Sequence, residues 1–488
     1  MDELTGLGLD EVITHHARTR GDAPAVTFGD EVMTFADFDR RADVLADRLV
    51  ELGVGHDDFV TIAWPNSFDF LVSCVAAWKV GAIPQPVSWR LPEAELDAIV
   101  ELADSAVVLG LEHATRPSIT TSSSADDTPV ASGPRRSAPA SAWKAPTSGG
   151  STGRPKLIVS GDPAVFGGAI PTRSDRLGVA TGETMVMPGP LYHNGPFIWS
   201  WMALLAGGHL ALLGRFDAEA TLAAIDRHRA STAYFVPTMM QRMWKLPDDV
   251  KARYDLSSLH HAWHLAEPCP PWLKEAWIDW IGPENLWELY GGTEGQASTT
   301  LSGVEWLAHR GSVGKPQPGS MKICDDDGND VPPGQVGEVW MRPVGRDTPT
   351  YRYIGATPNE RDGWESLGDL GWMDEDGYLY LADRRTDMIL VGGANVYPAE
   401  IEAALNAHPG VDSSAVIGLP DDDKGNRIHA IVNQTDTSAT EDALRSHVTD
   451  LLVSYKRPWT YEFVDEPVRD DAGKVRRSAL RADRLQED

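Results

Sequence analysis

Nine consecutive residues, Ser148-Gly149-Gly150-Ser151-Thr152-Gly153-Arg154-Pro155-Lys156, constrain the fold more than any other stretch of this chain. Three glycines permit positive φ and expose successive backbone N–H groups, which together make an anion-binding concavity. The serine and threonine hydroxyls add donors, Arg154 and Lys156 add positive charge, and Pro155 keeps the loop from continuing as a helix. A polyphosphate suits such a loop. A flexible Gly/Ser linker, favoured by the Ser/Pro-rich tract before it, is the plainer alternative. The apolar, largely β-branched Leu157-Ile158-Val159 that follows predicts loop, then strand.

Two sharper readings of the loop separate on that point. It is not a Walker P-loop, because no Gly-Lys-Ser/Thr follows a four-residue gap. Gly149-Gly150-Ser151-Thr152-Gly153 does fit the G-x-S-x-G pattern of a hydrolase nucleophile elbow. An elbow turns from a strand directly into a helix, which Pro155 and the strand-like run oppose. A serine hydrolase using Ser151 is therefore the minority reading.

Around the loop, strand-like and helix-like segments alternate. Residues 8–20 and 36–53 have amphipathic periodicity, the second closing at Gly53 as a C-cap would. Phe59 to Trp64 is strand-like, about 68–79 is helical up to Gly81, and Ile83 to Val87 is again extended. Residues 113–142 have little periodicity and read as a surface loop. Beyond it, Thr184 to Met187, Ala233 to Val236 and Asn285 to Leu289 read as strands, with helices at 218–229 and from Pro237. This is the pattern of an α/β fold with parallel layers, whose ligands sit at the carboxyl ends of strands. From about Gly311 short strands and turns predict a β-rich subdomain reaching Asp383. There Asp325-Asp326-Asp327-Gly328 and Asp374-Glu375-Asp376-Gly377 are hairpin turns rather than calcium loops, since neither has all the EF-hand ligand positions. The last hundred residues form a separate small α+β unit, with a helix from Pro398 presenting Ile401 and Leu405 on one face.

A chain of 488 residues is long enough for two or more domains. Its formal net charge of −29 argues against general binding of nucleic acid or anionic membranes, and requires a local positive site for any anionic substrate. Three separated cysteines, Cys74, Cys269 and Cys324, predict a reducing, cytoplasmic setting without a disulfide framework. Met1-Asp2-Glu3-Leu4 lacks signal-peptide character. The longest apolar tract, Trp199 to Leu213, is interrupted by Gly207-Gly208-His209 and too short to span a bilayer.

Five stretches in this order resemble the adenylate-forming superfamily of acyl-CoA ligases, peptide-synthetase adenylation domains and luciferases, and most resemble the acyl-CoA ligases. They are the 148–156 loop, Tyr290-Gly291-Gly292-Thr293-Glu294, Leu367-Gly368-Asp369, Asp383-Arg384-Arg385-Thr386-Asp387 running into Gly392-Gly393-Ala394-Asn395-Val396-Tyr397-Pro398-Ala399-Glu400, and Gly473-Lys474-Val475-Arg476-Arg477. The resemblance implies a large α/β body over 1–384, with the β-rich subdomain at about 311–383. A mobile α+β cap over 385–488 would turn about a hinge near Thr386. It implies ATP, Mg²⁺ and coenzyme A as cofactors and co-substrates, and a small carboxylic acid or its adenylate as partner. By the same resemblance Ser148, Gly149, Gly150, Ser151, Thr152, Gly153 and Lys156 hold the β- and γ-phosphates, Thr293 contacts the α-phosphate, and Glu294 holds Mg²⁺. Asp369 takes the ribose hydroxyls, with Arg384 beside it. Lys474 bridges the attacking carboxylate and the α-phosphate, and Gly392-Gly393 line the thiol tunnel after the cap turns. His193, in Tyr192-His193-Asn194-Gly195-Pro196, occupies the place of an acyl-site gate. Tyr290, Gly291 and Gly292, with the turn Ala266-Glu267-Pro268, line the nucleotide.

This sequence departs from the family pattern at Glu267, where a small residue against adenine is expected. A carboxylate facing ATP at about 6 Å would cost roughly 3 kcal/mol per phosphate charge at an effective dielectric near 20. Adenylation would then be weak, and thioester formation from a supplied adenylate would survive. In the plainer alternative Glu267 faces solvent or pairs with a nearby cation. Loading of a carrier protein in place of CoA is a further alternative. Abundant Trp and Met favour a bulky apolar acid, whereas oligomeric state, a homodimer among the candidates, is not legible.

Overall fold

The structure, a computed structural model, describes residues 2–122, 129, 138–149, 155–167, 178, 181–391, 394–421, 424–470 and 473–485, with backbone only at 148 and 149. The body is built on an eight-stranded sheet. Its order is Ser298–Ser302, Leu286–Gly291, His261–His264, Thr232–Phe235, Thr184–Met187, His209–Leu212, Pro24–Phe28, Glu31–Thr34. All inner pairs are parallel, and an antiparallel strand closes each edge. Thr232–Phe235 and His209–Leu212 are buried at every position, because helices cover both faces. A second, all-parallel sheet orders Ile83–Pro86, Phe59–Ile62, Val107–Leu109 and Ser118–Ile119.

Helix Phe68–Val80 runs between the layers with twelve buried residues, so it shows no polar face. The Ser67 hydroxyl accepts from Phe70 N at its start, and Gly81 at φ +77° closes it. Trp78 meets Trp201 of helix Asn194–Leu205 edge-on at 4.5 Å, which ties the two sheets into one core. Segment 113–142 is less of a surface loop than its composition suggests, since Ile119, Ala140 and Ala142 are buried.

Strands Thr147–Gly149 and Pro155–Ser160 are antiparallel neighbours, joined on the far side by Tyr351–Ile354. Two antiparallel strands flanking residues 150–154 are not the strand-to-helix turn of a nucleophile elbow. The β-rich subdomain is an antiparallel sheet ordered Ser312–Gly314, Leu379–Arg384, Trp364–Met373, Gly337–Met341, Met321–Cys324. Residues 374–377 make its hairpin turn, with Asp374 accepting from Tyr378 N and Gly377 at φ +81°.

The cap has a core of its own. Val411–Asp421 and Gly425–Gln434 pair antiparallel, and Thr460–Val464 adds in parallel. Helices Pro398–Asn406 and Glu441–Leu451 bury Ile401, Leu405, Leu444 and Val448 against them. The mixed α/β body and small α+β cap are those expected from the sequence. Among the described residues no helix is long and apolar enough to cross a membrane.

Candidate active site

The carboxyl ends of the parallel strands open on one continuous cleft that extends to the cap. Leu286–Gly291 carries Tyr290 to its rim, where the phenol Oη donates to Asp369 Oδ2 at 2.7 Å. Asp369 lies opposite Arg384 in the hairpin register, and Arg384 Nε stands 3.3 Å from Asp369 Oδ1. Gly368 at φ +82° makes the bend just before it, a conformation that disfavours any side chain. Burial and the Asp369 charge push the Tyr290 phenol well up, so it remains a donor. Each carboxylate oxygen keeps a lone pair for a further donor. Asp369→Ala would strand the Tyr290 hydroxyl, at about 1–3 kcal/mol. The expected results are a lower urea midpoint and an apparent ATP affinity at least several-fold weaker.

A second group forms around Glu294. Its Oε1 accepts from Tyr353 Oη at 2.6 Å and faces Lys156 Nζ at 3.5 Å, while the ammonium lies 3.9 Å from the centre of the Tyr353 ring. Gly292 lets this wall close up, because a Cβ there would stand 2.3 Å from Leu367 Cδ1 and 3.0 Å from Glu294 Oε2. Gly291 and Thr293 lie on the same wall.

From the cap, Lys474 reaches into the cleft. Its side chain keeps contact with solvent, yet the enclosing walls and then Arg384 lower its pKa, against Asp470 and Glu294. His193 precedes helix Asn194–Leu205, its ring tilted against that of Tyr192 with centroids 4.5 Å apart. Burial, Lys474 and Arg476 hold its pKa down to about 3. Its buried Nε2 has no partner among the described residues. His193 therefore presents a neutral ring at neutral pH, with one nitrogen protonated and the other an acceptor. The cleft thus gathers two lysines, a buried carboxylate and the Tyr290–Asp369–Arg384 group.

The AMP-binding enzyme signature matches residues 13–345, and the AMP-binding enzyme C-terminal domain matches residues 400–474. The chain belongs to the AMP-binding enzyme family. It is 30% identical to a fatty acid–[acyl-carrier-protein] ligase, ScoC, of Streptomyces coeruleorubidus, over 97% of this chain and 96% of that one. It is also 30% identical to a feruloyl-CoA synthase of Amycolatopsis sp, over 97% and 98%. The crystal structure of the anthranilate CoA ligase AuaEII with anthranoyl-AMP superposes with a TM-score of 0.80 at 24% identity, covering 98% of this chain and 97% of that one. Like its relatives, this AMP-binding enzyme is an ATP-dependent, adenylate-forming ligase.

In this AMP-binding enzyme Glu267 lines the cleft between Ala266 and Pro268, and its carboxylate has partners from both body and cap. It accepts from Thr238 N at 3.1 Å and from Thr238 Oγ1 at 2.9 Å, and Arg469 Nη1 of the cap lies 4.0 Å away. The Thr238 donors and the Arg469 charge offset part of the Glu267 charge on which the expectation of weak adenylation rests. The residue 150–154 part of the phosphate loop, with Gly150, Ser151, Thr152 and Gly153, and the Gly392-Gly393 pair lie outside the described residues, as do the side chains of Ser148 and Gly149.

Two residues escaped the sequence reading. Tyr353 arrives through strand Tyr351–Ile354, which pairs with the strand bearing Lys156. Lys144 is buried, with its Nζ donating to Asn194 Oδ1 at 2.6 Å. Burial lowers its pKa to about 7, against the pull of Glu294 and Asp162. Nothing in Ser141-Ala142-Trp143-Lys144-Ala145-Pro146 marks that lysine out, because its place depends on backbone pairing with Ser160.

Proposed function

We propose that this enzyme is an acyl-CoA ligase for a bulky apolar carboxylic acid. First, one carboxylate oxygen bonds to the α-phosphorus of ATP as the α–β bridging bond breaks and pyrophosphate leaves. Next, the CoA thiol loses its proton and bonds to the acyl carbon as the acyl–oxygen bond breaks, releasing AMP. The observation that carries the reading is the meeting of Lys474, Glu294 and the Tyr290–Asp369 pair at the mouth of an apolar chamber. Trp199, Met202, Tyr234, Met239, Trp263 and Trp287 line that chamber.

Lys474 would draw the acid's carboxylate and the α-phosphate together, and Thr293 would hold the latter. Asp369 would accept from the ribose. Lys156 would meet the outer phosphates with the 148–153 loop. Among the described residues no three His, Cys, Asp or Glu side chains are grouped as a metal cage. Glu294 would therefore hold Mg²⁺ jointly with phosphate oxygens, the usual mode for that ion, which neutralises phosphate charge when bound. The neutral His193 ring would gate the chamber. Turning of the 385–488 cap about Thr386 would withdraw Lys474 and admit the thiol along Gly392-Gly393.

Similarity to the carrier-protein ligase supports one second reading, in which the thiol belongs to a phosphopantetheinyl protein. A panel of aromatic, fatty, terpenoid and steroid-like acids with ATP tests both. CoA in one arm and a phosphopantetheinyl carrier protein in the other should yield a thioester in one arm, with AMP in proportion, read by mass. Absence of AMP with every acid in both arms would overturn the reading.

A further inference from the structure

Helix Pro237–Trp244 ties the body to the cap along one face. Residues 238, 241, 242 and 245 recur at the spacing that shares a helix face. Arg242 grips Asp412 of the cap with two bonds, Nε to Oδ1 at 3.2 Å and Nη2 to Oδ2 at 2.6 Å. Gln241 Nε2 donates to Asp412 O at 3.4 Å. Lys245 Nζ donates to His408 O at 3.3 Å and also to Val411 O, in the turn after helix Pro398–Asn406. Thr238, at the start of the same face, clamps Glu267.

Glu267 in turn abuts the turn that carries Lys474. Gly473 adopts φ +78°, and a Cβ built there would fall 1.1 Å from Glu267 Oε1. Arg469 Nη1 donates to Gly473 O at 2.9 Å and faces Glu267, and its Nη2 is held by Glu402 Oε2 at 2.6 Å. Asp470 closes the turn, accepting from Lys474 N at 2.9 Å. Tyr234 and Cys269 are the other titratable groups close enough to feel the Glu267 charge. Any rotation of the cap that withdraws Lys474 parts Glu267 from Gly473 and Arg242 from Asp412 together.

We propose that Glu267 is a positioning residue of the adenylation half-reaction: clamped by Thr238, it seats the Gly473 turn and so aims Lys474 into the cleft, while Gln241, Arg242 and Lys245 hold the cap in that pose. The inference rests on the acyl-CoA ligase reading above. It opposes the repulsion argument in sign, since loss of Glu267 weakens adenylation rather than relieving it.

The two half-reactions are measured separately on the full chain, as acid-dependent ATP–pyrophosphate exchange and as CoA-dependent consumption of a synthetic acyl-adenylate. Glu267→Ala should lower the ratio of the first rate to the second by about tenfold, the scale of a small misplacement of a reacting group. Glu267→Gln keeps the size and the acceptor for Thr238 and should restore most of that ratio. Gly473→Ala should cost exchange at least about threefold more in the wild-type background than beside Glu267→Ala, where the collision is relieved and only backbone strain remains. Should these variants fold poorly, Arg242→Asp and Asp412→Arg should each lower the ratio singly and restore it together. Equal loss of both rates, a rise in exchange, or a Gly473→Ala effect independent of Glu267 would overturn the proposal. A wild-type protein inactive in both assays with every acid overturns the ligase reading itself, and this inference with it.

Discussion

Replacing Lys474 by alanine should lower acid-dependent ATP–pyrophosphate exchange by about 100- to 1,000-fold, the cost typical of removing one preorganised group that stabilises developing charge. Adenylation must bring a carboxylate and a phosphate, both anionic, into bonding contact. Two unit charges at 4 Å repel by about 4 kcal/mol at an effective dielectric of 20, and a compact cation between them offsets that repulsion. The enclosing walls and then Arg384 already lower the pKa of Lys474 before any substrate arrives. Thioester formation from a supplied adenylate should fall far less, because the proposed turn of the cap would withdraw Lys474 for that step. A readout independent of turnover follows from His193, whose pKa is held at about 3 partly by the Lys474 charge. In Lys474→Ala the His193 imidazole should titrate at higher pH by NMR. An unchanged His193 titration, with equal loss of both half-reactions, would remove Lys474 from the reacting centre.

What could be read from the chain and what could not divide by distance along it. Pro155 with Leu157-Ile158-Val159 announced a strand after the loop, and strand Pro155–Ser160 stands there. Asp369 and Arg384 meet because the turn at 374–377 sets the register of one hairpin, a local matter that composition announces. Tyr353 and Lys144 were invisible because each comes to Glu294 through tertiary pairing, the first across a sheet from Ile158 and the second beside Ser160. Glu267 stood out as an odd residue in its turn. Its partners were beyond reach, since Thr238, 29 positions earlier, supplies its donors. The charge argument took a bare carboxylate facing ATP; this one also meets Arg469 and the Gly473 turn of the cap.

Lys144→Met should make the protein more stable and a poorer binder of ATP. Burial holds the Lys144 pKa at about 7 in the folded chain, against an ordinary 10.5. Between those values the unfolded chain keeps a proton that the folded one releases, so stability rises with pH across that window. Below pH 7 the full cost of burying the cation is present, at most roughly 5 kcal/mol. Methionine removes that cost and gives up the bond to Asn194, about 1 kcal/mol. The melting temperature should therefore rise by about a few degrees at pH 6.5, with the gain shrinking toward pH 10. Bound polyphosphate, by contrast, would restore the proton and attract it, so the KM for ATP should rise by about tenfold, equivalent to 1.4 kcal/mol. A lysine with a purely structural role predicts the reverse pair of results, a lower melting temperature at pH 6.5 and an unchanged KM. The expected pair of results would assign the buried Lys144 charge, set beside Asn194 and within the field of Glu294, to an anion bound in the cleft rather than to packing.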